Sequence, residues 1–268
     1  MIGDGGLTPS EAEYLTLLAE QRPGLCTRGH RSVQFAQYCG LVSMGDRILE
    51  ILPKVSETAN ARESLGILLR LLDLSRDFPL FQHLSTGHQL RPNRLLEVFI
   101  AAFLEATSHI VRGGLLRQYM TEEDDLRVVR GQIRLGRQLG SLFNRPDMIA
   151  CRFDDLTADN VWNRLIKAGL RAVGPWIMSI ALNRRWVELM SAFAEVGDAR
   201  FDRTIWNRLI WDRHAVRYRN AIDWVRWILA LLSPSLRAGE EEAPGLLFDM
   251  NALFQSAITS ALRRAAHG

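Results

Sequence analysis

The chain has almost no lysine. Of its 33 basic residues, only Lys54 and Lys167 are lysines and the rest are arginines. A phosphate-cradling GxxxxGK[ST] loop needs Gly-Lys, and neither lysine follows a glycine, so a standard P-loop is absent. A PD-(D/E)xK nuclease site needs an acid two residues before its lysine. Those positions hold Leu52 and Leu165, which excludes that site from this sequence. Cysteine is scarce too: Cys26, Cys39 and Cys151 contain no CxxC pair. Cys26 and His30 could supply two metal ligands, but no second pair completes a four-ligand zinc site. There is no HExxH and no GxSxG, and His83 and His88 fall near an expected loop. No apolar run approaches the roughly 18 residues of a membrane span. The start, Met-Ile-Gly-Asp-Gly-Gly, lacks a secretory pattern, so a cytoplasmic protein without membrane contact is expected.

What remains is an ordinary globular composition: 268 residues, 47% hydrophobic and 24% charged, with a net charge of +3. Thr8-Pro9-Ser10-Glu11 reads as a capping box opening a helix that Pro23-Gly24 ends. Over 29–55 the period becomes that of strands. Val33, Phe35 and Gln37 alternate, Met44-Gly45-Asp46 supplies a turn, and Ile48 to Leu52 run to Pro53, which predicts a hairpin. Helical spacing returns from Ser56 to Leu74 and again from Leu95 past Phe103 to Gly113-Gly114. Thr121 to Asp125 reads as an acidic loop, and the segments around Arg130-Gly131 as short strands or a turn. Helices are predicted over Asp159–Val173, Arg185–Ala194, Thr204–Leu232 and Asn251–Arg264. The expected class is α+β: a β-rich domain at 1–56, a mainly helical domain at 57–233, a linker at 234–245 and a final segment at 246–268. Trp162-Asn163-Arg164-Leu165-Ile166 recurs at 206–210, but the flanks do not match, so it reads as coincidence rather than a repeat.

Two constellations could carry chemistry. Asp154, Asp155 and Asp159 could form a divalent-metal cluster and so an unorthodox nuclease site. The competing reading is local: Thr157 or Asp159 starts the following helix, with acids favoured near its N-terminus. Arg203, Arg208, Arg213, Arg217, Arg219 and Arg226 interleave with Trp206, Trp211, Trp224 and Trp227. That pattern suits a nucleic-acid-binding module over 203–227, with Arg208, Arg213 and Arg217 in contact. It equally suits a packed helix whose arginines extend from an aromatic core.

Gly40 to Val55, Tyr119 with Arg127 to Ile133, Cys151 to Lys167 and Leu247 to Phe254, four stretches in a fixed order, together resemble the McrC family of 5-methylcytosine restriction subunits. Gly40 to Val55, with Met44-Gly45-Asp46-Arg47 and Ile-Leu-Pro-Lys54, is similar to its "IEILPK" signature. Arg127-Val-Val-Arg130-Gly131-Gln-Ile resembles its "LRGRI" segment, with Tyr119 ahead of it. Cys151 to Lys167, carrying Asp154, Asp155, Asp159 and Asn163, resembles its "C.(Y/F)DE(F/L)..D...N..(I/L)K" block. Leu247-Phe-Asp249-Met250-Asn251-Ala-Leu-Phe254 resembles the "DMNxLFE" start of its nuclease domain, with Gln255 in place of the glutamate.

The resemblance implies a subunit whose β-rich domain enters the pore of an McrB-type AAA+ GTPase hexamer and stimulates hydrolysis. Met44, Gly45, Asp46, Arg47 and Lys54 are the implied partner contacts. GTP and Mg²⁺ would belong to the partner and no cofactor to this chain, with DNA reached through the complex. The family's nuclease core is expected after Gln255, thirteen residues before the last residue. The expectation is therefore a truncated or nuclease-free relative without catalytic activity alone.

Overall fold

The structure is a computed structural model that describes residues 6–45, 47–54, 60–75, 94–140, 142, 145–199, 205–232 and 245–266. Helix α1 (Pro9–Gln21) starts as predicted: Thr8 Oγ1 accepts from Glu11 N, and Glu11 returns the bond to Thr8 N. A small antiparallel pair follows, β1 (Cys26–Arg28) with β2 (Val33–Phe35). The main hairpin is β3 (Tyr38–Met44) with β4 (Arg47–Ile51). The expected turn after Met44 is therefore present. Its incoming strand is 38–44 rather than 33–37, because the alternation at Val33 and Phe35 belongs to the smaller pair.

β3 is the centre of a three-stranded sheet whose other edge is β8 (Gly245–Asp249), paired antiparallel from Tyr38–Asp249 to Val42–Gly245. Strands from both ends of the sequence thus share one sheet. Period-2 geometry gives that sheet two apolar faces. Val42 and Ile51 pack with Leu15, Leu18 and Leu25 beneath α1. Cys39, Leu41, Leu246 and Phe248 face the helical body.

That body contains α2 (Ala61–Leu74), α3 (Leu95–Arg112), α5 (Val161–Val173), α6 (Ile180–Ala192), α7 (Arg219–Leu232) and α8 (Met250–Ala266). α2 begins at Ala61 because Asn60 and Glu63 form a second capping box, which the sequence reading passed over. α3 ends at Gly113, as expected, and is buried along most of its length. The long helix expected over Thr204–Leu232 does not form. Short 3-10 turns at Ile205–Arg208 and Val216–Tyr218 precede α7, and Asp212 accepts from His214 N and Ala215 N to break the run. Ser85–Arg91, His83, His88 and most of 234–245 lie outside the described residues.

The expected acidic loop is a nine-residue strand, β5 (Gln118–Leu126), paired along its whole length with β7 (Ile149–Thr157). β6 (Gln132–Ile133) adds to the other side of β7, and a short helix α4 (Leu135–Leu139) follows it. Pairing to β7 overrides the weak strand propensity of Glu and Asp, and Glu122, Glu123 and Asp124 keep their side chains exposed. Residues 118–157 form an arm. Its buried residues Leu142, Ala150, Cys151 and Phe153 lie apart from both main cores.

Gly40 has φ +136, and a Cβ there would sit 1.8 Å from the Leu246 carbonyl oxygen. The β3–β8 pairing therefore requires glycine at 40. Gly40→Ala is expected to destabilise the fold by more than about 1 kcal/mol, because the native conformation excludes alanine. A urea midpoint equal to that of the parent would refute this.

Candidate functional site

At the hairpin tip, Met44 faces Arg47 across Gly45, whose φ is +75. Asp46 lies outside the described residues. Arg47 Nη1 is 3.1 Å from Glu11 Oε1, on the same carboxylate that closes the α1 capping box. The Thr8 backbone hydrogen bond chiefly holds the Glu11 carboxyl below its ordinary value, with a smaller pull from Arg47. The tip is therefore tied to α1 through its arginine. Lys54 is exposed beyond β4. Glu50, which the sequence reading did not single out, accepts from Leu95 N and Leu96 N at 3.2 and 3.4 Å. Arg94 offers α3 no side-chain cap, so Glu50 supplies one from the hairpin. An acid between Leu49 and Ile51 in an apolar strand was the available signal.

The three aspartates do not converge. Asp154 accepts from Thr121 Oγ1 at 2.7 Å across the β5–β7 pair. Asp155, one residue on, takes Arg130 Nη2 at 2.5 Å, and that guanidinium lies 4.1 Å from the Phe153 ring centroid. Gly131 (φ +68) brings the turn so close to β7 that a Cβ would be 2.3 Å from the Arg152 carbonyl oxygen. Asp159 sits on the body, where Arg164 donates two bonds at 2.6 and 2.7 Å and Gly197 N a third. Among the described residues no three His, Cys, Asp or Glu side chains gather to hold a metal. The helix cap is Asn160, not Thr157 or Asp159.

Asn163 is fully buried, and its Nδ2 donates to the carbonyls of Leu116 and Ala158 at 2.9 and 2.7 Å. Its Oδ1 accepts from the Tyr218 hydroxyl at 2.8 Å, which in turn accepts from Leu116 N at 2.7 Å. Lys167 is buried and donates to the Val196 carbonyl. In the last motif, Asp249 Oδ1 caps α8 by accepting from Asn251 N at 2.8 Å. Met250 S accepts from the Cys39 thiol, and burial pushes that thiol up to about 12. Phe254 remains 55% exposed.

In the arginine–tryptophan stretch Arg217, Arg219 and Arg226 have internal partners, and Arg203 lies outside the described residues. Arg217 donates to the carbonyls of Gly113 and Gly114 at 2.7 and 2.6 Å and so caps α3. Arg219 lies over Trp211, and Arg226 over Trp206. Trp211 meets Trp162 edge-on, and Trp224 is buried. Arg213 reaches only His214, its sequence neighbour. Arg208 closes the first short turn. These contacts match the packed reading, with one long helix replaced by turns.

The arm carries the surface that sequence reasoning missed. Tyr119 (74% exposed) and Leu156 pair on one face of β5 and β7, Met120 and Ile133 lie on the opposite face, and Val128 and Val129 are exposed between β5 and β6. Glu122, Glu123 and Asp124 are exposed along the β5 edge. Reading 121–125 as a loop hid this surface, since a loop has no faces.

Two outcomes follow from these contacts. Hydrogen bonds from Arg164, then Gly197, hold the Asp159 carboxyl below its ordinary value. A carboxyl with a depressed folded pKa stabilises above its unfolded pKa and loses that contribution as pH falls through the folded value. Asp159→Asn is expected to cost about 1 kcal/mol at pH 7, with the gap from the parent closing in acid below the unfolded carboxylate range. A gap independent of pH would refute it. The chain alone is also expected to bind duplex DNA weakly and with steep salt dependence. Sub-micromolar, salt-tolerant binding lost on Arg213→Glu would refute that.

A model of the family described as McrBC 5-methylcytosine restriction system component matches residues 33–268. No curated protein sequence matches. Two solved structures share the fold. One is a chain of the Thermococcus gammatolerans McrBC complex, with TM-score 0.65 and 22% identity over 98% of this chain and 75% of that one. The other is a chain of an assembly of McrB AAA+ hexamers with bound McrC from the same organism. It also has TM-score 0.65 and 22% identity, over 97% of this chain and 60% of that one. The matched stretch takes in every motif except the opening helix, and the chain belongs to the McrBC 5-methylcytosine restriction system component family.

Proposed function

We propose that this chain is an McrC-type subunit that binds an McrB-type AAA+ GTPase hexamer and stimulates its hydrolysis. The observation that carries the reading is the arm: a three-stranded sheet outside both cores, apolar at Tyr119 and Leu156 and acidic along β5. Exposed apolar side chains next to charged ones suit a protein partner. The family match and the fold shared with chains of McrBC assemblies support the same assignment. The partner brings GTP and Mg²⁺, this chain brings no cofactor, and DNA is engaged through the complex.

The hairpin tip Met44-Gly45-Asp46-Arg47, with Lys54, is the second candidate contact. Arg47 is half-exposed despite its bond to Glu11, so it could release that carboxylate for a partner phosphate or acid. An arginine supplied in trans stabilises charge on a transferring phosphoryl group. Equally, docking could reorganise the partner's own site.

Mixing the chain with an McrB-type GTPase is expected to raise GTP turnover. Tyr119→Glu with Val128→Glu, both on exposed positions, should cut that stimulation about tenfold, as loss of an interface anchor does. Arg47→Ala should cut it less. A stable complex without stimulation would overturn the activator role, and stimulation lost only with Arg47→Ala would move the contact to the hairpin. Alone with Mg²⁺ or Mn²⁺, the chain should leave methylated and unmodified DNA intact, since neither lysine has an acid two positions before it. Metal-dependent cleavage abolished by Asp155→Ala would defeat that expectation.

A further inference from the structure

The arm joins the body at two crossings, Leu116 entering β5 and Ala158 leaving β7. One buried side chain bonds both. Asn163 Nδ2 donates to the Leu116 and Ala158 carbonyls, and its Oδ1 accepts from Tyr218, which holds Leu116 N. Asn160 Nδ2 adds a second bond to the Leu116 carbonyl at 2.8 Å. Arg217, beside Tyr218, grips Gly113 and Gly114 just ahead of the first crossing. Helix α5, the turn before α7 and the end of α3 therefore meet at one point, and the arm grows from it.

These groups are costly to bury unless every one is satisfied, and here each polar atom of Asn163 and the Tyr218 hydroxyl has a partner. A helix cap alone would need only Asn160. The bonds from Asn163 and Tyr218 to a strand crossing more than forty residues away in sequence do something else.

We propose that Asn163 and Tyr218 are positioning residues, a rigid root that fixes the direction of the 118–157 arm relative to the helical body. Resting on the proposed function, this root presents the arm to the GTPase in one pose. The two residues touch no partner themselves. Binding energy then goes into the partner's rearrangement instead of into ordering the arm.

The test uses the full chain with Cys26→Ser, leaving only the buried Cys39 and Cys151. Spin labels at Val128→Cys on the arm and Met178→Cys on the body, both exposed positions, report the arm's direction by pulsed dipolar spectroscopy. The parent should give one narrow distance distribution. Tyr218→Phe, which strands Leu116 N and Asn163 Oδ1, should broaden or shift it. Asn160→Ser keeps a capping oxygen but drops the Leu116 bond, and should broaden it less. Leu68→Ala, a cavity in α2 far from the root in sequence, should leave it narrow although it lowers the melting temperature. An unchanged distribution in Tyr218→Phe and Asn160→Ser, or equal broadening in Leu68→Ala, would overturn the proposal. Should Tyr218→Phe fail to fold, Asn160→Ser decides it.

Stimulation of the McrB-type GTPase is read on the same proteins without labels. Tyr218→Phe should lose most of the stimulation while still co-purifying with the GTPase. Full stimulation by a variant with a broadened arm would overturn the positioning role. A parent chain that never stimulates would instead refute the proposed function, and the distance measurement would still decide the root.

Discussion

Everything in this molecule hangs on strand β3. Its two edges are taken by β4, next in sequence, and by β8, more than two hundred residues on. Its two faces serve two cores, one under α1 and one against the helical body. A strand used on four sides has no freedom of register, because a one-residue slip would exchange the two apolar faces. The close approach at Gly40 follows from this. Closing the sheet with β8 also places Asp249 where it caps α8 and Met250 where it meets Cys39. The DMN motif is thus legible as the corner at which a strand becomes a helix.

Glu50 extends the same constraint into the body. Its carboxylate leaves β4 to satisfy the first amides of α3, the most buried helix. The hairpin and the core helix are therefore coupled by charge-assisted bonds as well as by packing. Arg47, at the other end of β4, is coupled to α1 through Glu11. Both charged residues of the strand face helix termini.

Much of this could be read from residue order. The Thr8–Glu11 box, the turn at Gly45, the α3 stop at Gly113 and the α+β class each rest on local chemistry, and local chemistry decided them. The failures share a cause. Thr121–Asp125 looked like a loop because five polar residues in a row carry no period, yet β7 lies opposite them and supplies the pairing. The 204–232 run, with its interleaved arginines and tryptophans, reads as one helix, yet Asp212 caps a turn inside it. Glu50, Asn163 and Tyr218 were legible only as residue types. Their roles are set by partners 45 to 102 positions away, and no spacing rule reaches that far.

The scarcity of lysine acquires a structural sense from the contacts. Arginine's planar fork satisfies two acceptors at once, and the chain uses it so at Asp159 and at the Gly113 and Gly114 carbonyls. It also stacks, over Phe153, Trp206 and Trp211. Lysine's ammonium is a point charge with no planar fork to match two acceptors or lie flat on a ring. Of the two lysines, Lys167 is buried and donates to the Val196 carbonyl. Arg130, Arg164, Arg217, Arg219 and Arg226 are thus engaged by the chain's own carbonyls, rings and carboxylates. The arm keeps Tyr119 and Leu156 exposed on one face and carries an acidic edge along β5.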